Sequence, residues 1–138
     1  MYGILMADIK SLDLSLGMRG EENCKPLLEI HFGNKINYTK PYHPYDYFFE
    51  KSFIELKTRR VRHDCYKTTI IPLSKVKRMK KGYNYYFAFS FLDGLYIFKY
   101  DEDLVRLGRG GRCDRGCEEW GDYIHIDYRD LTCIVEYD

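Results

Sequence analysis

The chain has 138 residues, a formal net charge of +1 and an aromatic content of 17%, with 14 Tyr and 8 Phe. This length is typical of one domain with its own core, so residues 1–138 are expected to form a single unit. The aromatic content excludes a disordered linker, and the near-neutral charge excludes a polycation that holds nucleic acid by total charge alone.

The sequence also indicates where the protein works. No stretch approaches the ~18 consecutive apolar residues of a membrane span, and the N-terminus does not resemble a signal peptide, so we expect an intracellular protein. Its five cysteines are scattered and odd in number, which is typical of reduced thiols.

The first elements precede a short hairpin. Residues 1–16 fit either a strand or a helical lead-in, whereas the spacing of apolar residues within Gly17–Gly33 predicts a helix that ends at Gly33. Two short aromatic-rich runs follow, separated by a predicted turn at Glu50, Lys51 and Ser52. The hairpin would place the strand of Asp46 antiparallel to the strand of Glu55.

The remaining elements are mostly strands. Thr68–Ile71 is a predicted strand, and Ser74 is a predicted N-cap for a basic helix over Lys75–Lys80. The Asp93-Gly94 pair between aromatic runs predicts a hairpin. The last four predicted strands are Tyr83–Phe91, Leu95–Tyr100, Tyr123–Asp127 and Leu131–Tyr137.

The segment Arg106–Gly121 is rich in glycine and is predicted to be a mobile loop. Its arginines recur at every third position, at 106, 109, 112 and 115. Guanidinium groups match phosphate geometry, so this loop either clamps a nucleic-acid backbone or is a solvated surface loop paired with its own acidic residues.

The hairpin carries the residues with the clearest chemistry. Side chains alternate along a strand, so Glu55 and Lys57 share one face while Ile54, Leu56 and Thr58 share the other. Asp46 and Glu55 would offer the hard oxygen ligands that Mg²⁺ prefers. Lys57 would orient an attacking water or stabilise developing charge. An exposed Glu–Lys ion pair is the non-functional interpretation of the same residues.

These residues resemble a known family. Pro44, Tyr45 and Asp46, followed by the run Phe53–Arg59, resemble the PD-(D/E)XK, or restriction-endonuclease-like, nuclease superfamily, with Tyr45 inserted between the proline and the aspartate. The resemblance implies an α/β fold with a mixed central β-sheet flanked by helices. It also implies a Mg²⁺-dependent endonuclease acting on DNA, with Mn²⁺ as a substitute metal.

The resemblance further implies roles for individual residues. Asp46, Glu55 and the Leu56 carbonyl would hold the metal, and Lys57 would assist the attack on phosphorus. The first helix would supply one more carboxylate, best matched by Glu22, with Glu29 and Glu21 as alternatives. The residues expected to bind the DNA backbone are Arg59, Arg60, Lys75, Arg106, Arg109, Arg112 and Arg115.

Several functional alternatives remain open from the sequence. The short chain predicts limited sequence specificity, structure-selective cleavage, or action as a homodimer or within a larger complex. Tyr42, Tyr45 and Tyr47 are candidates to stack on unpaired bases or to pack within the sheet. The rival functions are an inactive nuclease-fold binding module, a virion or scaffold assembly protein, and a nuclease that acts on RNA, which the sequence does not distinguish from one that acts on DNA.

Overall fold

The computed structural model describes residues 21–110 and 121–137. In chain order its elements are helix α1 (Glu21–Phe32), β1 (Asn37–Tyr38), β2 (Tyr47–Phe49), β3 (Ser52–Thr58), β4 (Thr68–Pro72), helix α2 (Leu73–Lys77), β5 (Asn84–Ser90), β6 (Gly94–Lys99), β7 (Val105–Gly110), β8 (Gly121–Asp127) and β9 (Thr132–Glu136). None of the helices in these ranges is long and apolar enough to cross a membrane. The alternatives for residues 1–16 lie outside the described ranges.

The main sheet has six strands in the order β1-β2-β3-β5-β6-β9. Its β3–β5 contact is parallel, with Glu55 opposite Phe87, and its other contacts are antiparallel. The mixed sheet and the α/β fold are therefore confirmed. The parallel contact requires the chain to leave β3, form β4 and α2, and return, which is the usual kind of connection between parallel strands.

Both faces of the main sheet are buried. Helix α1 covers one face, where Leu27 and Leu28 pack with Ile54 and Ala88. A second sheet, in the order β4-β8-β7, covers the other face. There Ile71, Ile124 and Ile126 pack with Phe87 and Phe89. Because side chains alternate along β5, its phenylalanines face the second sheet and Ala88 faces the helix.

The predicted hairpin around Asp46 and Glu55 is confirmed, with Tyr47 opposite Ile54. The turn is shorter than expected, since Ser52 already belongs to β3 and pairs with Phe49. Glu50 has a positive φ of 49°, which closes this tight turn. Gly33 has φ of 63° directly after α1, so the predicted glycine stop of the helix is also confirmed.

The predicted boundaries of α2 are wrong. The helix spans Leu73–Lys77, and Pro72 rather than Ser74 occupies the N-cap position, with φ of −63°. The first N–H groups of a helix have no partner within the helix, so the missing N–H of a proline removes no hydrogen bond at this position.

The prediction of a loop from Arg106 is also wrong, because Val105–Gly110 forms β7 and pairs with β8. A Cβ at Gly108 would lie 2.9 Å from the His125 ring, so this glycine permits close packing within a strand. Arg112 and Arg115 lie outside the described residues.

Candidate active site

Asp46 directly precedes β2, at the point where β2 stops pairing with β3. Its N–H donates to the Ile54 carbonyl (3.0 Å), which continues the hairpin ladder by one residue. Its carboxylate oxygen Oδ2 accepts the Leu56 N–H (2.8 Å). The side chain of Asp46 thus takes the place of a backbone partner for Leu56, at the edge of β3 beyond its pairing with β2.

The Leu56 carbonyl is directed toward the same edge. In a strand the N–H and C=O of one residue point to the same side, which is why antiparallel pairs can exchange two hydrogen bonds. Since the Leu56 N–H points to Asp46, the Leu56 carbonyl also faces the aspartate side. One backbone oxygen and one carboxylate therefore meet at this edge.

Glu55 adds a buried carboxyl group to these two oxygens. It is only 5% exposed, and its carboxyl is hydrogen-bonded to that of Asp46. Burial, followed by the hydrogen bond and the charge of Asp46, raises the pKa of Glu55 to about 7, against the opposing effect of two lysines. Two carboxyl groups that share one site characteristically raise a pKa in this way.

Two lysines contact Glu55. Lys57 lies on the same face of β3, and its Nζ is 3.6 Å from Glu55 Oε2. Lys75 comes from α2, and its Nζ is closer, at 2.6 Å from the same oxygen. The sequence predicted Lys75 only as a DNA-backbone contact, because nothing in the residue spacing indicates that α2 docks against the hairpin.

The position of Lys75 is fixed by the segment before Asp46. Its ammonium donates to the Pro44 carbonyl and lies 5.7 Å from the centre of the Tyr45 ring. The Tyr45 hydroxyl in turn donates to the Lys75 carbonyl (2.9 Å). Tyr45 is 2% exposed, and burial is the main cause that raises its pKa well above the ordinary value.

The donor set fits a hard divalent cation. Asp46, Glu55 and the Leu56 carbonyl offer oxygen atoms, and Mg²⁺ typically combines one or two protein carboxylates with water and phosphate oxygens. The close pair of carboxyl groups, with Glu55 disposed to keep a proton, is an arrangement that a divalent cation would stabilise.

The helix carboxylates do not join this group. Helix α1 packs on the sheet face opposite to Glu55, and Glu22 on that helix is exposed. No described hydrogen bond or ion pair links Glu22 to Asp46 or Glu55. Glu29 is buried, but its carboxylate accepts the Ile36 N–H (2.9 Å) and pairs with Lys25 (3.5 Å). Glu29 thus fixes the connection from α1 to β1. The side chain of Glu21 lies outside the description.

The predicted DNA-binding residues differ in their surroundings. Arg59 donates to the Ile70 carbonyl (3.0 Å), so it connects β3 to β4. Arg60 and Arg106 are exposed, and Arg109 is exposed and pairs with Asp122 at 3.5 Å.

The three tyrosines around Asp46 also differ in their exposure to solvent. Tyr45 and Tyr47 are buried and pack within the core, whereas Tyr42 is 99% exposed.

A second group that could hold a metal ion lies beyond the end of β5. Among the described residues, His63, Asp64 and Asp93 bring potential ligand atoms within 4.8 Å of one another. His63 Nδ1 is already 2.5 Å from Asp93 Oδ2, and the Arg62 guanidinium lies 3.5 Å from the same oxygen. Because the Arg62 guanidinium already neutralises Asp93, we interpret this group as a structural contact. It connects the segment after β3 to the turn between β5 and β6.

Comparison with protein families supplies independent information. A family model described as "Phage putative PDDEXK endonuclease" matches residues 34–138. The match includes Asp46, Glu55 and both lysines and begins after α1. No curated protein and no solved structure matches the chain.

Proposed function

The chain belongs to this phage PDDEXK family, and from that membership we propose that it is a Mg²⁺-dependent endonuclease that hydrolyses phosphodiester bonds in DNA. The observation that carries the proposal is the convergence of Asp46, Glu55, Lys57 and Lys75 at one edge of β3. We further propose that residues 1–138 form a single catalytic domain.

Asp46, Glu55 and the Leu56 carbonyl are the proposed metal ligands. When bound, Mg²⁺ would polarise the scissile phosphate and lower the pKa of the attacking water. The residues themselves fix the geometry, since Asp46 is held through the Leu56 N–H and Glu55 by its place in the buried strand. Rigid strand positions are suited to this task because small displacements of ligands cost much catalytic rate.

Lys57 is the proposed catalytic lysine. It shares the face of Glu55 and keeps about a quarter of its side chain exposed, so its ammonium has access to a substrate. From this position it would orient the attacking water and stabilise negative charge on the phosphate oxygens. Lys75, held by Pro44 and Tyr45, is less free to move and would mainly hold Glu55 in place.

The proposed DNA contacts lie outside this centre. Arg60, Arg106 and Arg109 are exposed and are proposed to bind backbone phosphates, together with Arg112 and Arg115. Such contacts position the substrate without reading its sequence, so cleavage is expected to depend on DNA structure more than on base sequence. Action as a homodimer or within a larger complex would add specificity.

A cleavage assay tests the proposal. Supercoiled plasmid, a branched DNA and single-stranded RNA are incubated with Mg²⁺, Mn²⁺, Ca²⁺ or EDTA. Glu55→Gln removes one proposed ligand with little change of shape, and Glu136→Gln, on an exposed position of β9, is the matched control. We expect Mg²⁺- or Mn²⁺-dependent cutting of DNA by the wild type and by Glu136→Gln, and none by Glu55→Gln.

Other outcomes would overturn the proposal. Equal cutting by Glu55→Gln would show that the active centre lies elsewhere. Uncut substrates in every metal, with DNA binding retained in Ca²⁺, would indicate a binding module on a nuclease fold. Cutting of RNA alone would change the substrate class but not the chemistry.

A further inference from the structure

A basic groove lies beside the candidate active site. Its volume is about 260 Å³, and its lining includes three lysines and three tyrosines: Lys80, Lys81, Lys99, Tyr83, Tyr85 and Tyr100. Among the described residues, none of the three lysines forms an ion pair with a carboxylate. Three cations without an ion-paired carboxylate around one depression favour an anion as the occupant.

The tyrosines give the groove an ordered aromatic wall. Tyr85 is buried, and its hydroxyl accepts the Lys80 N–H (2.8 Å), which fixes the chain after α2 against β5. Tyr83 is 44% exposed, yet its ring packs on Phe53 with 5.5 Å between centroids. Tyr83 therefore presents a supported and accessible ring, which is the property of a stacking platform for a base.

The groove is connected to the candidate active site through Tyr45. The Tyr85 ring packs against the Tyr45 ring with 5.1 Å between centroids. The Tyr45 hydroxyl is hydrogen-bonded to the Lys75 carbonyl, and the Lys75 ammonium forms an ion pair with Glu55. In the parallel register Tyr85 and Phe87 share one face, and Phe87 is opposite Glu55. Two residues of strand correspond to roughly 7 Å, so Tyr85, which lines the groove, lies close to Glu55 on the same face of the sheet.

A neighbouring depression has the opposite charge. It is larger, about 750 Å³, and it carries Asp101, Glu102 and Asp130. These carboxylates would repel a phosphate, whereas Lys99 stands at the border of both depressions. The electrostatics thus favour the smaller groove for a nucleic-acid strand.

We propose that this groove binds one unpaired nucleotide of the DNA substrate, with its phosphate against Lys80, Lys81 and Lys99 and its base stacked on Tyr83. This inference rests on the proposed function and adds a substrate preference to it. The protein selects DNA that has a single-stranded segment next to the duplex, as in a flap, a branch or a tailed end. A fully paired duplex cannot offer a base to Tyr83 without unstacking it.

Binding measurements test the inference without requiring cleavage. Fluorescence anisotropy in EDTA compares a labelled blunt DNA hairpin with the same hairpin carrying a short oligothymidine tail. We expect the wild type to bind the tailed DNA about tenfold more tightly than the blunt DNA, the range of one base–aromatic stack. Tyr83→Ala, and separately Lys80→Gln with Lys81→Gln, should remove this preference and leave binding of the blunt hairpin nearly unchanged.

Matched controls come from other surfaces. Tyr38→Ala removes a tyrosine that is 55% exposed on the edge strand β1, and Lys35→Gln with Lys67→Gln removes two exposed lysines. Both controls should keep the preference for tailed DNA, and thermal melting confirms that all variants are folded.

The results separate this inference from the proposed function. Equal affinity of the wild type for both DNAs, or an unchanged preference in folded Tyr83→Ala, overturns the groove even if the protein cleaves DNA. A preference that is lost only in the groove variants supports it, even if no metal produces cleavage.

Discussion

The Lys75 ammonium lies 2.6 Å from the Glu55 carboxylate, about an ångström closer than the lysine of the E-x-K motif. The contact joins α2 to the hairpin across a sequence separation of twenty residues. It gives Glu55 a cationic partner that is itself held by Pro44 and Tyr45. The two lysines are therefore expected to have different roles.

Lys75→Met should destabilise the metal-free protein more than Lys57→Met does. The substitution removes the nearest cation of buried Glu55 and a hydrogen bond to Pro44, and loss of a charged hydrogen bond typically costs about 1–3 kcal/mol. Urea denaturation in EDTA at pH 8 measures both variants. Equal free energies of unfolding for the two would contradict the structural role of Lys75.

Lys57→Ala should abolish cleavage while leaving DNA affinity and thermal stability close to the wild type. The Lys57 side chain is partly exposed and lies 3.6 Å from Glu55, so its contribution is expected mainly in the transition state. Single-turnover cleavage, anisotropy in Ca²⁺ and thermal melting check the three parts. An unfolded Lys57→Ala would instead mark this lysine as structural.

Glu55→Gln should stabilise the metal-free protein at pH 8 but not at pH 5. The pKa of Glu55 is about 7 in the folded protein and about 4.3 in an unfolded chain. The folded state therefore binds the extra proton between these values, and the free energy of unfolding falls as pH rises through this window. A neutral glutamine avoids the penalty of the ionised form above pH 7, an effect on the order of 2 kcal/mol. Urea denaturation in EDTA at both pH values measures it, and a wild type that is the more stable protein at pH 8 would contradict this prediction.

Metal binding should stabilise the protein through Asp46 and Glu55 and not through the group around His63. A ligand that binds only the folded state stabilises that state, and at ligand concentrations above Kd the stabilisation grows with the logarithm of the ligand concentration. Thermal melts with increasing Mg²⁺, Mn²⁺ or Ca²⁺ should therefore shift upward for the wild type and for Asp64→Asn, and should not shift for Asp46→Asn. Loss of the shift in Asp64→Asn would place the metal at the His63 group instead.

Asp93→Asn should destabilise the protein near neutral pH and have a smaller effect in acid. Burial tends to raise the pKa of Asp93, but hydrogen bonds from the His63 side chain and backbone outweigh burial and hold the pKa below its ordinary value. Stability from a lowered carboxyl pKa is present above the unfolded pKa, about 3.9, and is lost as pH falls through the folded value.

The expected cost of Asp93→Asn at pH 7 is about 1.5–3 kcal/mol, typical of hydrogen bonds to a charged group. Arg62 and His63 contact this carboxylate, and the Tyr96 hydroxyl contacts His63, so the comparison of wild type and variant is made at each pH from 7 down to 3. A difference between wild type and variant that stays constant across this range would show that the charge of Asp93 is not responsible.

Local sequence signals predicted much of the fold. The strands around Asp46 and Glu55, the stop at Gly33 and the hairpin around Asp93 depend on alternation and on turn residues, which act over a few positions. The local signal was misleading at Gly108, where the glycine permits close packing against His125 within a strand and does not mark a mobile loop. A glycine in a sequence does not reveal which of these two uses it serves.

The sequence by itself determined that Asp46 lies next to the strand of Glu55 and Lys57 in one hairpin, since register and alternation are local properties. Only the tertiary structure decided that Lys75 reaches Glu55, that α1 lies on the opposite face from it, and that Glu55 is buried enough to raise its pKa. These features arise from the parallel pairing of β3 with β5 and from the docking of α2. They depend on contacts between residues far apart in the chain, which no local pattern specifies.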